Sequence, residues 1–433
     1  MKVAIIGNGL AGVTLASNLF NLDDSIEIHM FSEEKHPYYS RVRLVDYVVG
    51  NISLDELFIY DKNWYAQRNI NLHLNSTVKT VNTSKSTIAV EVKDGSATSM
   101  MDFHYDVLVI ASGSKPIIPD IPGKEKYGWH VLRNIEDADG IKEHLKQVER
   151  ITILGSGALG LELANAFRAG PNSRDTSIIE IQPMVAPVYL DKQGATVFLN
   201  LLERAGVKIL VKTEVTELVG DDKLIKHADG RTYRGSIEGC RLADKTIHKG
   251  DMVIFACGIK PNVDFLRNTP LEIIDGIVVN DYLQTSVKNV YAIGDCCEHN
   301  AFIYGINPAA IEQAKICAYN IVKPDGKPRV YRGTIPSVSF YGFGTELVSL
   351  GRVNDFTIDP DELKEIYSYY KVDMTLGIYK KILLNKKHHV IGAILIGDLE
   401  QQLDLRRMIL EEIDVSGFEE NILQDGFSLR EWI

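Results

Sequence analysis

The feature that most constrains this chain is a glycine-rich turn that occurs twice in the same setting. Gly7-Asn8-Gly9-Leu10-Ala11-Gly12 follows an apolar run at residues 3–6 and opens a helix-like stretch through residue 20. Gly155-Ser156-Gly157-Ala158-Leu159-Gly160 follows a second apolar run at 151–154. Each turn is followed by an acid where the next strand should end: Glu33 stands 21 residues past Gly12, and Glu180 stands 20 past Gly160. Strand, turn, helix, strand, acid is the order of a dinucleotide site, in which bare backbone meets the pyrophosphate and a carboxylate holds the ribose hydroxyls. The helix start adds unpaired N–H groups and a positive dipole end, so the anion needs no basic side chain. One such turn can be an ordinary tight turn. Two in the same context imply two dinucleotides, and hence an electron-transfer protein.

With 433 residues, 45% of them hydrophobic and 24% charged, the chain is long enough for two or three domains, each with its own core. The formal net charge of −11 argues against nucleic acid as a partner, because that association depends on clustered Lys and Arg. No apolar run reaches the ~18 residues needed to span a bilayer, and residues 1–6 read as a strand rather than a signal peptide, so no membrane insertion and a cytoplasmic location are expected. The five cysteines, Cys240, Cys257, Cys296, Cys297 and Cys317, form no CxxC or CxxxxC pair and no metal-type spacing. No metal site is expected. Cys296 and Cys297 are adjacent, which makes a bridge between them strained and favours reduced, buried thiols.

Along the chain, strand and helix patterns alternate from residue 1 to about 117, ending in an apolar strand at 107–110 and Ala111-Ser112-Gly113. Pro116, Pro119 and Pro122 then mark a crossover. A second βαβ module follows, with a rather long connection at 170–175 read as a surface loop. The runs at 252–256 and 289–293 read as further strands of the first domain. This gives an α/β chain of two Rossmann-like dinucleotide-binding domains, the first (1–117 and 246–326) interrupted by the second (118–245), plus a C-terminal α+β domain at 327–433. In that last domain strands are expected at 337–341, 347–352, 378–384 and 390–396, with a turn at Asn385-Lys386-Lys387 and a helix over 404–412.

Five landmarks in order carry a resemblance over nearly the whole length: the first glycine turn with Glu33; Ala111-Ser112-Gly113; the second glycine turn with Glu162 and Glu180; Cys257-Gly258-Ile259-Lys260-Pro261-Asn262; and Ala292-Ile293-Gly294-Asp295. In these the chain resembles the two-dinucleotide flavoprotein reductases of the pyridine nucleotide-disulfide oxidoreductase superfamily. Residues 37–44, Pro-Tyr-Tyr-Ser-Arg-Val-Arg-Leu, and Tyr304-Gly305-Ile306-Asn307-Pro308 look most like the rubredoxin reductase branch and the flavin module of nitrite reductase large subunits.

The resemblance implies that the first site holds FAD. Gly7, Gly9, Leu10, Ala11 and Gly12 would meet the pyrophosphate, Glu33 and its neighbour Glu34 the adenosine ribose, and Arg41 with Ala111, Ser112 and Gly113 the walls. Gly294 and Asp295 would meet the ribityl chain, although a turn cap is the plain alternative for Asp295. Pro308 would start a helix over 308–320 whose positive end favours the charge of a reduced flavin. NADH would bind through Gly155, Gly157, Ala158, Leu159, Gly160 and Glu180, with Gly258 beside them. Ile181, Gln182 and Pro183 offer no base for a 2′-phosphate, so NADH is expected over NADPH. Glu162 would reach the flavin–nicotinamide junction as a catalytic residue. Arg41 or Arg43 would pair with it.

The departures from the pattern decide the expected function. Relatives that reduce disulfides or peroxides carry cysteine beside the flavin, whereas here that segment reads Ser40-Arg41-Val42-Arg43. Without a thiolate there is no mixed-disulfide chemistry. The expectation is an NADH-dependent FAD oxidoreductase passing electrons to an external one-electron acceptor such as rubredoxin. The alternatives are an FAD/NAD subunit of a larger redox complex, and an NADH oxidase. A homodimer is a further possibility, and Lys380, Lys381, Lys386, Lys387, His388 and His389 suggest a basic hairpin that could dock an acidic partner.

Overall fold

The computed structural model describes residues 1–169, 173–226, 230–353 and 364–432. They fall into two compact units: Met1–Arg43, Ile52–Lys115 and Ile259–Thr334 form one, and Leu44–Asn51, Pro116–Gly258 and Ile335–Ile433 the other.

In the first unit a five-stranded parallel sheet runs in the order Val290–Ala292, Val107–Ile110, Lys2–Ile6, Glu27–Phe31, Ile70–His73. Val3, Ala4 and Ile5 are fully buried, as are Leu108 to Ile110. Strands covered on both faces read as unbroken apolar runs, which is why these were legible. Helices Leu10–Leu22 and Asn307–Val322 pack on one another. Between Ile70–His73 and Val107–Ile110 the chain inserts an antiparallel sheet of Ser76–Asn82, Thr87–Asp94 and Ala97–His104.

The second unit repeats the plan. Its parallel sheet has the order Lys208–Leu210, Asp175–Ile179, Arg150–Leu154, Met252–Phe255, Trp129–His130. The antiparallel insert is here Val215–Gly220, Ile237–Leu242 and Ile247–Lys249. One expectation is corrected: residues 252–256 belong to this sheet and not to the first, with Ile151 to Leu154 in register against Met252 to Phe255. The first unit accordingly resumes at Ile259 rather than at 246. The reason is local. Each glycine turn is roofed by the residue that follows a neighbouring strand, Ala111 after Val107–Ile110 and Ala256 after Met252–Phe255. A dinucleotide module without that third strand would leave its turn open. The connection expected at 170–175 lies partly outside the described residues.

The C-terminal residues form a five-stranded antiparallel sheet in the order Ser337–Gly342, Thr345–Gly351, Val390–Ile396, Ile378–Leu384, Tyr367–Asp373. Helix Gln402–Glu411 buries Leu405 and Met408 against Val348, Leu350, Ile382 and Leu395. The edge strand Tyr367–Asp373 was not expected. Its run Tyr-Ser-Tyr-Tyr-Lys-Val-Asp lacks a clean apolar alternation because it is half exposed. This domain shares its unit with the second dinucleotide module, and the joint is specific. Asp191 caps helix Lys192–Arg204 through the Gly194 N–H at 2.8 Å, while its other oxygen accepts from the Tyr379 hydroxyl at 2.8 Å and Lys381 Nζ at 2.6 Å. Asn165 Oδ1 accepts from the Phe343 N–H at 2.8 Å.

Candidate functional site

The two glycine turns are built alike. A Cβ at Gly7 would lie 2.1 Å from the Ala111 carbonyl oxygen, and one at Gly12 would lie 2.1 Å from that of Gly7. At Gly155 it would lie 2.4 Å from the Ala256 oxygen, and at Gly160 2.1 Å from that of Gly155. The first and third glycines of each motif are thus required by packing, and Gly7 and Gly155 also sit at φ +117° and +109°. Gly9 and Gly157 have nothing within 4 Å of a Cβ position. They border open space where each helix begins. Both are helix N-caps with no side-chain cap, so first-turn amides are left for an anion, although the Tyr189 hydroxyl accepts from the Ala158 N–H. A cradle with bare backbone, open volume and uncapped amides at Leu10, Ala11 and Leu159 fits a pyrophosphate at either turn.

The two acids are not equivalent. The Gly7 N–H donates to the Phe31 oxygen at 2.9 Å, and the Gly155 N–H donates to the Ile179 oxygen at 2.8 Å. Glu180 therefore matches Ser32, and Glu33 matches Ile181. Glu33 is exposed at its strand end. Glu180 is buried, and its Oε2 accepts from the Ser156 N–H at 2.8 Å and hydroxyl at 2.7 Å while Oε1 accepts from the Gln182 N–H at 2.9 Å. Three of about four acceptor positions on that carboxylate are used inside the protein. Glu180 is first a clamp between the glycine turn and the loop after the strand, which leaves one position for a ribose hydroxyl. Ser156, which the motif reading passed over, completes the clamp by accepting the Ala186 N–H at 3.0 Å.

Around the first turn, Asn8, Ser32, Glu34, Tyr38, Tyr39 and Arg41 line a shallow cleft. Glu34 accepts from the Tyr39 hydroxyl and from Arg41, whose guanidinium also donates to Tyr39 at 3.1 Å. Arg41 takes Glu34 of its own unit as an ion-pair partner, and Arg43 donates to the Glu56 carbonyl at 2.6 Å. Sequence spacing favours no particular acid for an arginine; the turn at Pro37 to Ser40 folds Arg41 back onto its own segment. Ser112 and Asn262 hold each other through the Ser112 hydroxyl and the Asn262 carbonyl at 2.8 Å, and the Asn262 N–H donates to Gly113 at 2.9 Å. Ser114 donates to Asp295 at 2.7 Å. Pro308 lies in the first turn of Asn307–Val322, whose N-cap Ile306 makes no side-chain bond.

In the second unit Glu162 is half-buried on helix Ala158–Arg168, and its carboxyl is pushed up by burial and then by the charge of Asp46. Gly258 follows the strand beside the turn at φ +101°. Cys240, Cys296, Cys297 and Cys317 are buried and none of the five is bonded in a disulfide. Burial pushes the Cys240 thiol up to about 12, and burial followed by the charge of Glu180 pushes Cys257 up to about 11. Neither supplies a thiolate at neutral pH. The basic hairpin is smaller than expected: Lys380 is fully buried against Asp398, Lys381 is held by Asp191, Lys386 pairs with Glu365 and His388 with Glu419. Among the described residues no helix is long and apolar enough to cross a membrane.

Two such turns, each with its own parallel sheet, define a protein that takes two dinucleotides. Residues 1–318 match the model of the pyridine nucleotide-disulphide oxidoreductase family, and residues 336–413 match that of the rubredoxin NAD+ reductase C-terminal domain. The chain belongs to the pyridine nucleotide-disulphide oxidoreductase family, an oxidoreductase family whose cofactors are FAD and NAD(H). It is 33% identical over 416 residues to the NAD(P)H nitrite reductase of Bacillus subtilis (strain 168), covering 96% of this chain and 48% of that protein. The chain therefore spans about half the length of that relative. It is 27% identical over 412 residues to the NADH-rubredoxin oxidoreductase of Clostridium acetobutylicum, covering 94% of each. The crystal structure of that organism's NADH:rubredoxin oxidoreductase superposes with a TM-score of 0.75 at 25% identity over 98% of this chain and 99% of the other. A NAD-dependent persulfide reductase from A. fulgidus gives 0.84 at 26% over 99% and 80%.

Proposed function

We propose that this chain takes electrons from NADH and passes them through FAD to an external one-electron redox protein such as rubredoxin. The observation that carries the reading is the pair of open glycine turns combined with the lack of a cysteine at Ser40 to Arg43, so that electrons leave without a sulfur relay. FAD, when bound, supplies two-electron acceptance from the nicotinamide and one-electron release. The chain's own residues bind and orient. Gly9 and Gly157 admit the two pyrophosphates, Glu33 and Glu180 offer acceptors to the ribose hydroxyls, and Asp295 and the helix after Ile306 address the flavin end. Glu162 is the candidate catalytic residue of the nicotinamide side. The carboxylate of Glu180 and the exposed apolar Ile181 beside it favour a free 2′-hydroxyl, and hence NADH, over a 2′-phosphate. End-to-end similarity to a NADH-rubredoxin oxidoreductase supports the acceptor class.

The test is anaerobic reduction by NADH followed by reoxidation with rubredoxin, ferredoxin or oxygen. Fast reoxidation by a one-electron protein and slow reoxidation by oxygen support the reading; oxygen turnover as fast as protein turnover makes the chain an oxidase. A second reading, a flavin module within a larger electron-transfer assembly, is favoured by the half-length match to nitrite reductase. Native purification with co-migrating redox subunits would establish it.

A further inference from the structure

We propose that Gln313 is a positioning residue for FAD, whose buried amide holds the Gly294–Asp295 turn and ties it to the surface carboxylate of Glu312. The proposal rests on FAD occupying the first unit. Gln313 is 1% exposed on helix Asn307–Val322. Its Oε1 accepts from the Gly294 N–H at 2.7 Å and from Cys297 Sγ at 3.4 Å, and its Nε2 donates to the Tyr331 hydroxyl at 3.3 Å. The chain continues outward: Tyr331 to Thr334 at 2.8 Å, and Thr334 to Glu312 Oε2 at 2.6 Å.

The donors along this chain have one consistent direction. The Glu312 carboxylate only accepts, so the Thr334 hydroxyl donates to it and its oxygen takes the Tyr331 proton. The Tyr331 oxygen is then the acceptor for Nε2, which commits Oε1 to the Gly294 N–H. Gly294 is fixed from the other side as well. It sits at φ +75°, and a Cβ there would lie 3.0 Å from that of Ala11 at the first glycine turn. Gln313 therefore sets where Asp295 stands relative to that turn. It does so with a neutral amide, so no second negative charge joins Asp295 beside the cofactor. No ligand contact is assigned to Gln313 itself.

The test uses the whole chain, with FAD stripped and added back to the unmodified protein as the control that checks the cofactor reading separately. Gln313→Leu strands the Gly294 N–H and takes one partner from the Tyr331 hydroxyl, which keeps Thr334. FAD should then dissociate about tenfold more readily or worse, and the midpoint potential of bound FAD should shift, while NADH affinity in the second unit is unchanged. An unaltered FAD dissociation constant together with an unaltered potential overturns the proposal. Gln313→Glu decides if the leucine variant does not fold. As a carboxylic acid it makes both bonds, and as a carboxylate it loses the donor to Tyr331 and faces Asp295, with the thiol of Cys297 alongside. Burial and Asp295 both hold the new carboxyl above the ordinary range, so FAD affinity relative to the unmodified chain should be near one at about pH 5 and fall as the pH is raised to about 9.5. A ratio that does not change with pH overturns the proposal equally.

Discussion

Gly157 and Gly160 are three residues apart and should respond in opposite ways to the same methyl group. At Gly157 the methyl enters the space left for the ligand, so Gly157→Ala should leave the melting temperature in place and weaken NADH about tenfold, with FAD content unaffected. At Gly160 it strikes the Gly155 carbonyl, so Gly160→Ala should cost about 1–3 kcal/mol in denaturant unfolding. Equal effects of the two on stability would contradict this division of labour. Glu162 gives a pH prediction. Its carboxyl is raised in the fold by burial and by Asp46, so the folded chain holds that proton more tightly than the unfolded chain. Stability from this group is present below the ordinary carboxyl range and is lost as pH rises through the raised value. Glu162→Gln should therefore raise the melting temperature at neutral pH, lose that advantage in acid, and slow reduction by NADH. A neutral-pH melting temperature below that of the unmodified chain would argue against it. Single residues were only partly legible. Both acids stand 20 or 21 residues past their turns, and both strands end at the same place relative to them, at Phe31 and Ile179, so Glu180 directly follows its strand while Glu33 stands one residue further on. One position changes the face on which a side chain stands, and here it leaves Glu33 exposed while Glu180 is buried as a clamp with one acceptor position to spare.

Elements were legible wherever burial on both faces wrote an apolar run, as at Lys2–Ile6, Val107–Ile110 and Arg150–Leu154. What such a run does not state is its sheet. Met252–Phe255 reads like any buried strand, and its place beside Arg150–Leu154 follows only from the need to roof Gly155. The antiparallel inserts were missed for the opposite reason, since strands such as Ala97–His104 are almost wholly exposed and carry little pattern. Helix Lys192–Arg204 offers a test at this scale. Asp191→Ala removes its cap and strands Tyr379 and Lys381, both turned inward, so it should cost about 3–5 kcal/mol. In guanidinium unfolding with NADH binding as one probe and FAD fluorescence as the other, the NADH probe should move to lower denaturant. A change within about 0.5 kcal/mol would show the joint to be incidental.

For the molecule as a whole, the duplicated plan was visible in the repeat of the glycine turn, and the acceptor was not. A net charge of −11 gives no general attraction for an acidic redox protein. The hairpin lysines that looked like a docking patch are largely committed to internal ion pairs, leaving Lys387 and the paired Lys386 at the surface. Docking by charge through the hairpin would have to use those two, and reversing both should then lower acceptor reduction more at low salt than at high salt. The central claim, that FAD works between NADH and the acceptor with no thiol relay, is tested most directly by counting. In an anaerobic titration of the FAD-loaded chain with NADH, the yellow band should bleach completely at about one NADH per chain, because flavin alone takes up one hydride. A requirement for about two equivalents would reveal a redox-active sulfur pair in series with the flavin and contradict the account, as would a band that NADH leaves unchanged.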